Sequence, residues 1–229
     1  MNVLEARNVT KNYGHVTALD DVSLSIATST ILGLIGPNGS GKTTFVNLAT
    51  GFSNLDGGDL LFNGHRINGR HPDEISRLGI ARTFQETRVF RKMTVIENLL
   101  VASRDQKKAR DLLTLVGLSR LEREYSGNLS YGQQKLLEFV RVLMMDPTVI
   151  FLDEPTAGID PILTDGLLKW FKMLPDQGKT LIIVEHNMDV INAICERIVV
   201  LHHGRRIAEG TPLEIQQDRL VQDAYLGGA

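Results

Sequence analysis

Apolar runs of strand length recur along the chain and alternate, in its second half, with stretches that carry apolar residues at helical spacing. Residues 31–35, 149–152 and 180–184 are almost entirely apolar. Runs of this kind predict short strands buried on both faces, as in a parallel sheet covered by helices. Residues 162–174 and 188–194 predict helices that alternate with these strands. The pattern therefore indicates an α/β fold.

The N-terminal part shows the alternating pattern of antiparallel strands instead. Val22, Leu24 and Ile26 alternate with serines, as expected for a strand that buries one face. The dipeptide Asn63-Gly64 follows another apolar run and predicts a tight hairpin. We therefore expect residues 3–31 to form short strands of an antiparallel β part.

The segment between the two β-rich parts is predicted to be helical. Residues 80–84 form the last predicted strand before it, and this strand ends at Gln85. Thr94 and Glu97 have the spacing of a capping box, and residues 131–145 predict a long helix. We expect this segment to be an inserted helical lobe. The expected division of a single domain, residues 1–229, is a core of residues 1–86 and 147–229 and a lobe of about residues 87–146.

Composition and charge narrow the functional classes. The chain has 229 residues, is 42% hydrophobic and carries a net charge of -2, so it is expected to be an ordinary globular protein without the excess positive charge of many nucleic-acid-binding proteins. Its one cysteine, Cys195, is expected to be a small buried apolar residue in a reducing compartment. The apolar runs are too short to span a bilayer, so any link to a membrane is expected to require a partner.

The most informative motif lies between the strand at residues 31–35 and a predicted helix. It has the P-loop pattern G-x-x-x-x-G-K-[ST], in which glycines let backbone N–H groups surround an anion and the helix start adds positive partial charge. Lys42 can reach the β- and γ-phosphates of a nucleotide, and the Thr43 hydroxyl can ligate Mg²⁺. The residues of this phosphate-binding loop are Gly36, Pro37, Asn38, Gly39, Ser40, Gly41, Lys42, Thr43 and Thr44.

Two carboxylates, Asp153 and Glu154, follow the apolar run at residues 149–152. We expect this strand to lie beside the P-loop strand, which places Asp153 where it can hold Mg²⁺. Glu154 then faces the γ-phosphate and can polarise the attacking water as a general base.

A second helix start suited to an anion is predicted at residues 129–134. Ser130 is an N-cap candidate, and Gly132 permits close approach of the backbone. A capped helix start of this kind can bind an anion, although an ordinary capped helix has the same pattern. Its meaning depends on the other motifs of the chain.

These motifs together resemble those of the ATP-binding cassette (ABC) family, the ATPase subunits of ABC transporters. Residues 129–134 are similar to the signature motif of that family, except that Tyr131 stands where glycine is usual. The resemblance implies a P-loop NTPase (RecA-like) core that uses ATP and Mg²⁺. It assigns stacking on adenine to Tyr13, the sensing of Mg²⁺ and γ-phosphate to Gln85, and the switch histidine to His186.

The expected site residues follow from the P-loop together with this resemblance. Besides the P-loop, ATP is expected to contact Tyr13, Ser130, Gly132 and Gln133. The expected catalytic residues are Glu154, His186 and Gln85. The expected Mg²⁺ ligands are Thr43, Gln85 and Asp153.

A narrower resemblance concerns the subfamily that serves uptake of branched-chain amino acids and the related urea importers. It is carried by residues 79–85, 89–98, 130–134 and 184–188, and by the tail segments 209–212, 214–215 and 224–227. It implies an importer ATPase for branched-chain amino acids or a related small polar substrate.

The resemblance also implies partners. Two cassettes, either two copies of this chain or this chain with a second cassette, are expected to pair head to tail. Ser130 and Gly132 of one subunit would then cover the γ-phosphate held by Lys42 of the other. The groove beside Gln85 and residues 88–90 is expected to receive a helix of a membrane permease. The chain would then act at the cytoplasmic face of the inner membrane as a peripheral protein. A periplasmic binding protein would be an indirect partner, and no nucleic-acid partner is expected.

Three other functional classes remain open on the sequence. An exporter ATPase of the lipopolysaccharide-export type has a similar length and tail, but more often keeps glycine where this chain has Tyr131. A non-transport ABC ATPase acting on nucleic acid or ribosomes usually has two tandem cassettes or long coiled insertions. A metabolic kinase would share only the P-loop, and would not need Ser130 to Gln133 or the pair of carboxylates Asp153 and Glu154.

Overall fold

The computed structural model describes residues 1–226, so that Gly227 of the expected tail segment lies outside the described residues. Two sheets and their covering helices form the structure. The strands are β1 (Asn2–Tyr13), β2 (Val16–Ala27), β3 (Ile31–Ile35), β4 (Gly57–Phe62), β5 (His65–Arg66), β6 (Ile80–Arg82), β7 (Val149–Asp153), β8 (Thr180–Val184), β9 (Arg197–His202) and β10 (Arg205–Gly210). The helices are α1 (Lys42–Ala49), α2 (Pro72–Leu78), α3 (Val95–Leu100), α4 (Gln106–Leu115), α5 (Tyr131–Met144), α6 (Pro161–Met173), α7 (Met188–Ile194), α8 (Pro212–Gln217) and α9 (Arg219–Leu226).

The first sheet is antiparallel and has the order β2-β1-β4-β5. In β2 the side chains of Val22, Leu24 and Ile26 are buried, which confirms the one-sided pattern. The prediction of short strands was wrong, because β1 and β2 each run for 12 residues. They stay paired through several register shifts, which let two long strands follow a twisted surface. The predicted hairpin is confirmed, with positive φ at both Asn63 and Gly64.

The second sheet has the order β10-β9-β3-β8-β7-β6, and all its neighbouring strands are parallel except β10 and β9. Strands β3, β7 and β8 are buried at every residue, as their apolar runs predict. The expectation that the strand ending in Asp153 lies beside the P-loop strand was wrong. Strand β8 lies between them and pairs with both, through Leu181 to Ile31 of β3 and through Ile182 to Phe151 of β7.

Strand β6 is shorter than predicted, because it ends at Arg82 and not at Gln85. The Thr83 N–H still donates to the Phe151 carbonyl. The next hydrogen bond, however, ends on a side chain: the Thr83 hydroxyl accepts from the N–H of Asp153 at 3.3 Å. A side-chain acceptor thus replaces the next backbone acceptor, and the chain leaves the sheet before Gln85.

Helices α3, α4 and α5 occupy the segment for which the sequence predicts a helical lobe; the boundaries of that lobe stay a prediction. The capping box at Thr94 is confirmed, as is the helix over most of residues 131–145. Helix α5 packs on the core, with Phe139 edge-on to Phe171 of α6 at 5.1 Å between ring centroids. Among residues 1–226, no helix has both the length and the apolar character needed to cross a bilayer.

Candidate functional site

The loop between β3 and α1 has the backbone shape that the P-loop pattern requires. Gly36 and Gly41 both have positive φ, 148° and 106°. A Cβ on Gly36 would lie 2.0 Å from the Leu201 carbonyl oxygen, and one on Gly41 would lie 2.7 Å from the Ala18 carbonyl oxygen. No side chain fits at either position. The loop is therefore held tightly between its neighbours, with the first turn of α1 directly after it.

Lys42 is folded back across this loop. Its Nζ donates to the carbonyl oxygens of Gly36 at 2.7 Å and Pro37 at 2.9 Å. Partial burial lowers the pKa of Lys42, and the negative charges of Glu154 and Asp153 oppose that shift. The ammonium group is therefore held by weak, neutral acceptors near two carboxylates, from where it can turn toward an anion.

The other polar groups of the loop differ in accessibility. Asn38, Gly39 and Thr43 are exposed, whereas Ser40 is buried. The Ser40 hydroxyl has no hydrogen-bond partner within the described part of the chain. The exposed Thr43 hydroxyl at the start of α1 is free to meet a ligand from solvent.

Asp153 is the last residue of β7, and its carboxylate is almost buried. Its nearest cation is Arg82, at 3.4 Å, and the two side chains are 9% and 8% exposed. Burial raises the pKa of Asp153, while the charges of Arg82 and Lys42 oppose that shift. Asp153 thus lies within one electrostatic cluster with the lysine of the P-loop.

The three residues with expected catalytic roles meet at one carboxylate. Gln85 Nε2 donates to Glu154 Oε2 at 3.3 Å. His186 Nδ1 lies 3.3 Å from Glu154 Oε1. His186 can reach it because β8, which ends two residues before the histidine, lies directly beside β7. The structure therefore brings Gln85, Glu154 and His186 together from three separate parts of the chain.

The remaining expected residues do not reach this cluster within the chain. Tyr13 lies at the end of β1, half exposed, with its hydroxyl 3.3 Å from that of Ser53. Ser130 caps α5: its hydroxyl accepts from the N–H of Gln133, and the Gln133 side chain accepts from the N–H of Ser130. Gly132 packs against α6, where a Cβ would lie 3.2 Å from Leu163 Cδ1. Within residues 1–226, no hydrogen bond joins the Ser130 segment to the P-loop.

Arg82 is a residue of the site that sequence reasoning missed. Besides Asp153, it donates to the Asn47 side chain on α1 at 2.7 Å, and its guanidinium carbon lies 4.6 Å from the centre of the Phe84 ring. It thereby joins the P-loop helix, the end of β7 and the segment leading to Gln85. A cation placed directly before the Gln85 motif was the available sequence signal.

Two further buried charges near Glu154 were also missed. Glu185 is 2% exposed and accepts from the hydroxyl of Thr156 and from the N–H of His186. Lys135 of α5 is 7% exposed and donates to the Glu154 carbonyl oxygen at 2.6 Å. Each was visible in the sequence only as a charge beside an apolar run.

Comparison of the sequence with known proteins finds relatives that are ATP-binding proteins of transporters. Residues 19–157 match the profile of the family described as ABC transporter, and residues 205–229 match that of the branched-chain amino acid ATP-binding cassette transporter. The chain is 38% identical over 247 residues to the probable branched-chain amino acid transport ATP-binding protein LivG of Archaeoglobus fulgidus, and the match covers 99% of this chain and 96% of that protein.

Solved structures of ABC transporter cassettes share this fold. An ATP-binding cassette of an ABC transporter in its ADP conformation is 34% identical to this chain, with a TM-score of 0.92 and coverage of 99% of both chains. A dimeric cassette in a post-hydrolysis state, bound to ADP and phosphate, is 27% identical, with a TM-score of 0.82 and coverage of 91% of this chain and 98% of that one. A P-loop, a carboxylate pair at the end of β7 and these matches along nearly the whole sequence lead to one conclusion: the chain belongs to the ABC transporter family, as one of its ATP-binding cassettes.

Proposed function

We propose that this cassette hydrolyses ATP with Glu154 as the general base, and that it drives import of branched-chain amino acids or a related small polar substrate. The observation that carries the proposed catalytic role is the contact of both Glu154 carboxylate oxygens, one with Gln85 and the other with His186. The cargo is suggested by the match of residues 205–229 and by the name of the archaeal relative.

ATP would bind with its phosphates at the P-loop and the start of α1. The backbone N–H groups of this loop and the positive end of α1 favour an anion. Lys42 would exchange its two carbonyl acceptors for the β- and γ-phosphate oxygens, which are charged and therefore stronger partners. Tyr13 is half exposed at the end of β1 and would stack on the adenine.

The donor set near the P-loop fits Mg²⁺. Thr43, with its hydroxyl, and Gln85, with its amide, are exposed residues. Asp153, with its carboxylate, is the last residue of β7. These are oxygen ligands of the kind that Mg²⁺ prefers, with few protein carboxylates and room for phosphate oxygens. When bound, the ion would neutralise charge on the β- and γ-phosphates.

Glu154 would remove a proton from the attacking water as the water oxygen forms its bond to the γ-phosphorus. The bond between this phosphorus and the bridging oxygen of ADP breaks, which yields ADP and phosphate. Gln85 and His186, each 3.3 Å from a Glu154 oxygen, would fix the direction of the carboxylate and bind the water or the γ-phosphate. A positioned base of this kind contributes on the order of 10²- to 10⁴-fold to the rate.

The second half of each ATP site would come from a second cassette. Ser130 caps α5 and makes no hydrogen bond to the P-loop within residues 1–226, and Tyr131 beside it is 46% exposed. In a head-to-tail pair, Ser130, Gly132 and Gln133 of one subunit would cover the γ-phosphate held by Lys42 of the other. The post-hydrolysis structure named above is a dimer, which supports such a pair.

A membrane permease would dock in the groove beside Gln85 and residues 88–90. Phe90 is 47% exposed there, and its ring lies 5.2 Å from the Arg141 guanidinium carbon. An exposed aromatic residue next to a fixed cation suits a short helix from a partner. The cassette would thus work as a peripheral subunit on the cytoplasmic face of the inner membrane, with a periplasmic binding protein as an indirect partner.

Uptake measurements in the source organism test the proposed cargo. A strain that lacks this gene is expected to lose high-affinity uptake of radiolabelled leucine, isoleucine or valine. The wild-type gene should restore uptake and the Glu154→Gln variant should not, at equal protein level. If uptake of all three amino acids is unchanged and uptake of urea or another solute is lost, the transported substrate is that other solute.

A further inference from the structure

Lys135 is a buried cation that the proposed reaction does not use. It lies on α5, the helix that Ser130 caps, and it is followed by the buried residues Leu136 and Leu137. Burial lowers the pKa of Lys135, and the charges of Glu185 and Glu138 are the largest of those that oppose that shift. A buried ammonium group is costly unless its hydrogen bonds are satisfied, so its partners indicate what it does.

The shortest hydrogen bond of Lys135 is made to the backbone of Glu154, the proposed general base. Its Nζ donates to the Glu154 carbonyl oxygen at 2.6 Å. The same Nζ also lies 5.5 Å from the centre of the Tyr131 ring, within the range of a cation–π contact. The ammonium group is therefore fixed between the signature segment of α5 and the residue after β7.

The backbone of Glu154 needs support of this kind. Its φ is +46°, in the left-handed region that residues other than glycine rarely adopt. Its N–H donates to the Val184 carbonyl of β8 at 2.9 Å. Lys135 holds the opposite end of the residue, so Glu154 is fixed through both of its peptide groups. The direction of its side chain, between Gln85 and His186, depends on that backbone conformation.

We infer that Lys135 is a positioning residue for ATP hydrolysis: it holds the Glu154 backbone so that the carboxylate meets Gln85 and His186, and it ties this carboxylate to the signature helix of the same subunit. The inference rests on the proposed general-base role of Glu154. Lys135 thereby links α5 directly to the backbone of Glu154.

A purely structural role would give a different result. Lys135 also lies near the carboxylates of Glu138 and Glu185, so its removal could simply destabilise the fold. A structural role affects folding and nucleotide binding together. A positioning role lowers the turnover number and leaves the affinity for ATP nearly unchanged.

The main test compares Lys135→Met with Lys135→Arg in the purified protein. Lys135→Met keeps the apolar stem and removes the donor, and it should lower kcat about 10²-fold, as misplacement of a catalytic group does, with KM for ATP within threefold. Lys135→Arg keeps a donor and should recover at least a tenth of the wild-type kcat. The matched control is Lys108→Met on α4, since Lys108 also donates to a backbone carbonyl, that of Met144, but away from the site. Its kcat should stay within twofold of wild type.

Combining Lys135→Met with Glu154→Gln shows whether Lys135 acts through Glu154 or independently of it. If Lys135 acts through Glu154, adding Lys135→Met to Glu154→Gln should lower the residual single-turnover rate by no more than twofold. Multiplication of the two single effects would overturn the inference. If Lys135→Met is insoluble, Lys135→Gln serves with the same criteria, because glutamine stays polar but is too short to reach Glu154.

The two proposals can fail separately. A near-normal kcat for Glu154→Gln removes the general-base role, whatever Lys135 does. An inactive Glu154→Gln together with a kcat of Lys135→Met within threefold of wild type overturns the role of Lys135 alone. A tenfold or larger loss of ATP affinity in Lys135→Met overturns it as well.

Discussion

His186 Nδ1 lies 3.3 Å from the Oε1 atom of Glu154. This contact crosses from the end of β8 to the residue after β7, and the order of strands makes it possible. Because β8 is inserted between β3 and β7, its last residues lie between the P-loop and the carboxylates. The strand that the sequence did not place there thus brings His186, two residues after its end, to the Glu154 carboxylate.

The first prediction concerns Glu154. Glu154→Gln should lower ATP turnover by at least about 10²-fold, the scale of a lost general base, and leave ATP binding intact. The amide keeps the shape of the side chain and can still contact Gln85 and His186, but it accepts no proton. Phosphate release under saturating ATP and calorimetric ATP binding measure the two quantities.

The matched control for this change is Glu196→Gln. Glu196 is exposed after α7, and its substitution should leave turnover within twofold of wild type. Near-normal turnover of Glu154→Gln would assign the base to another group.

The second prediction concerns Lys42. Lys42→Ala should weaken ATP binding on the order of 10²-fold, because a charge-assisted partner of the phosphates is lost. Nucleotide fluorescence titration measures the dissociation constant. Lys42 also donates to Gly36 and Pro37, so the midpoint of thermal unfolding must be measured beside it. Lys172→Ala, at an exposed position of α6, is the control, and equal Kd values for both variants would contradict the P-loop assignment.

The third prediction concerns the buried ion pair of Arg82 with Asp153. Arg82→Leu should lower the free energy of unfolding by about 3–5 kcal/mol, because it leaves a buried carboxylate without its cation. Urea unfolding at neutral pH measures the change. The exposed pair of Arg77 and Asp73 offers a control: Arg77→Leu should change the free energy of unfolding by less than about 1 kcal/mol. Equal changes in the free energy of unfolding for Arg82→Leu and Arg77→Leu would show that the buried pair stabilises the fold no more than the exposed one.

The fourth prediction concerns the reactivity of Cys195. Burial raises the pKa of this thiol to about 12, and the thiolate is the reactive form. The folded protein should therefore resist alkylation at pH 8 and react fully once unfolded in urea. An unfolded thiol ionises from about pH 9 upward, before the folded one does. Between these two pKa values, rising pH should favour unfolding and lower the urea midpoint. Rapid labelling of the folded protein at pH 8 would contradict the buried placement.

The sequence predicts best those parts of the site that are local. The P-loop is one continuous segment between a buried strand and a helix, and the glycine positions that its pattern demands, such as Gly36 and Gly41, have the positive φ and close contacts that explain them. The helix start at Ser130 is local in the same way, since Gln133 completes its capping box. Pattern and geometry agree here because all the interacting residues are neighbours in sequence.

The wrong prediction of strand order and the missed partners in the site depend on residues distant in sequence. Strand order is decided by which buried strands pair, and β3, β7 and β8 are apolar throughout, so their patterns do not distinguish neighbours. The residues that contact Asp153 and Glu154 are likewise distant from them in sequence. Arg82 is 71 residues from Asp153, and Lys135 is 19 residues from Glu154. A charge beside an apolar run shows that a partner must exist, but not which residue it is.

The last prediction concerns the two anion-binding helix starts, at Lys42 and Ser130. We expect them to belong to one ATP site built from two subunits. Equal mixing of Lys42→Ala and Ser130→Arg subunits should restore part of the ATPase activity that each variant lacks, because one of the two sites of a mixed dimer then contains neither change. Activity is measured against each variant alone, and recovery requires that one intact site turns over without its twin.

Disulfide crosslinking tests the same arrangement without that requirement. Ser40 is buried and unsuited to it, whereas Asn38 and Tyr131 are both exposed. Chains with Asn38→Cys and chains with Tyr131→Cys, each also carrying Glu154→Gln to retain ATP, should crosslink to each other when ATP and Mg²⁺ are added. Each variant alone is a control, and the buried Cys195 should not take part. Crosslinks that form equally without nucleotide, or only between two Asn38→Cys chains, would exclude a site in which α5 of one subunit covers the phosphates held by Lys42 of the other.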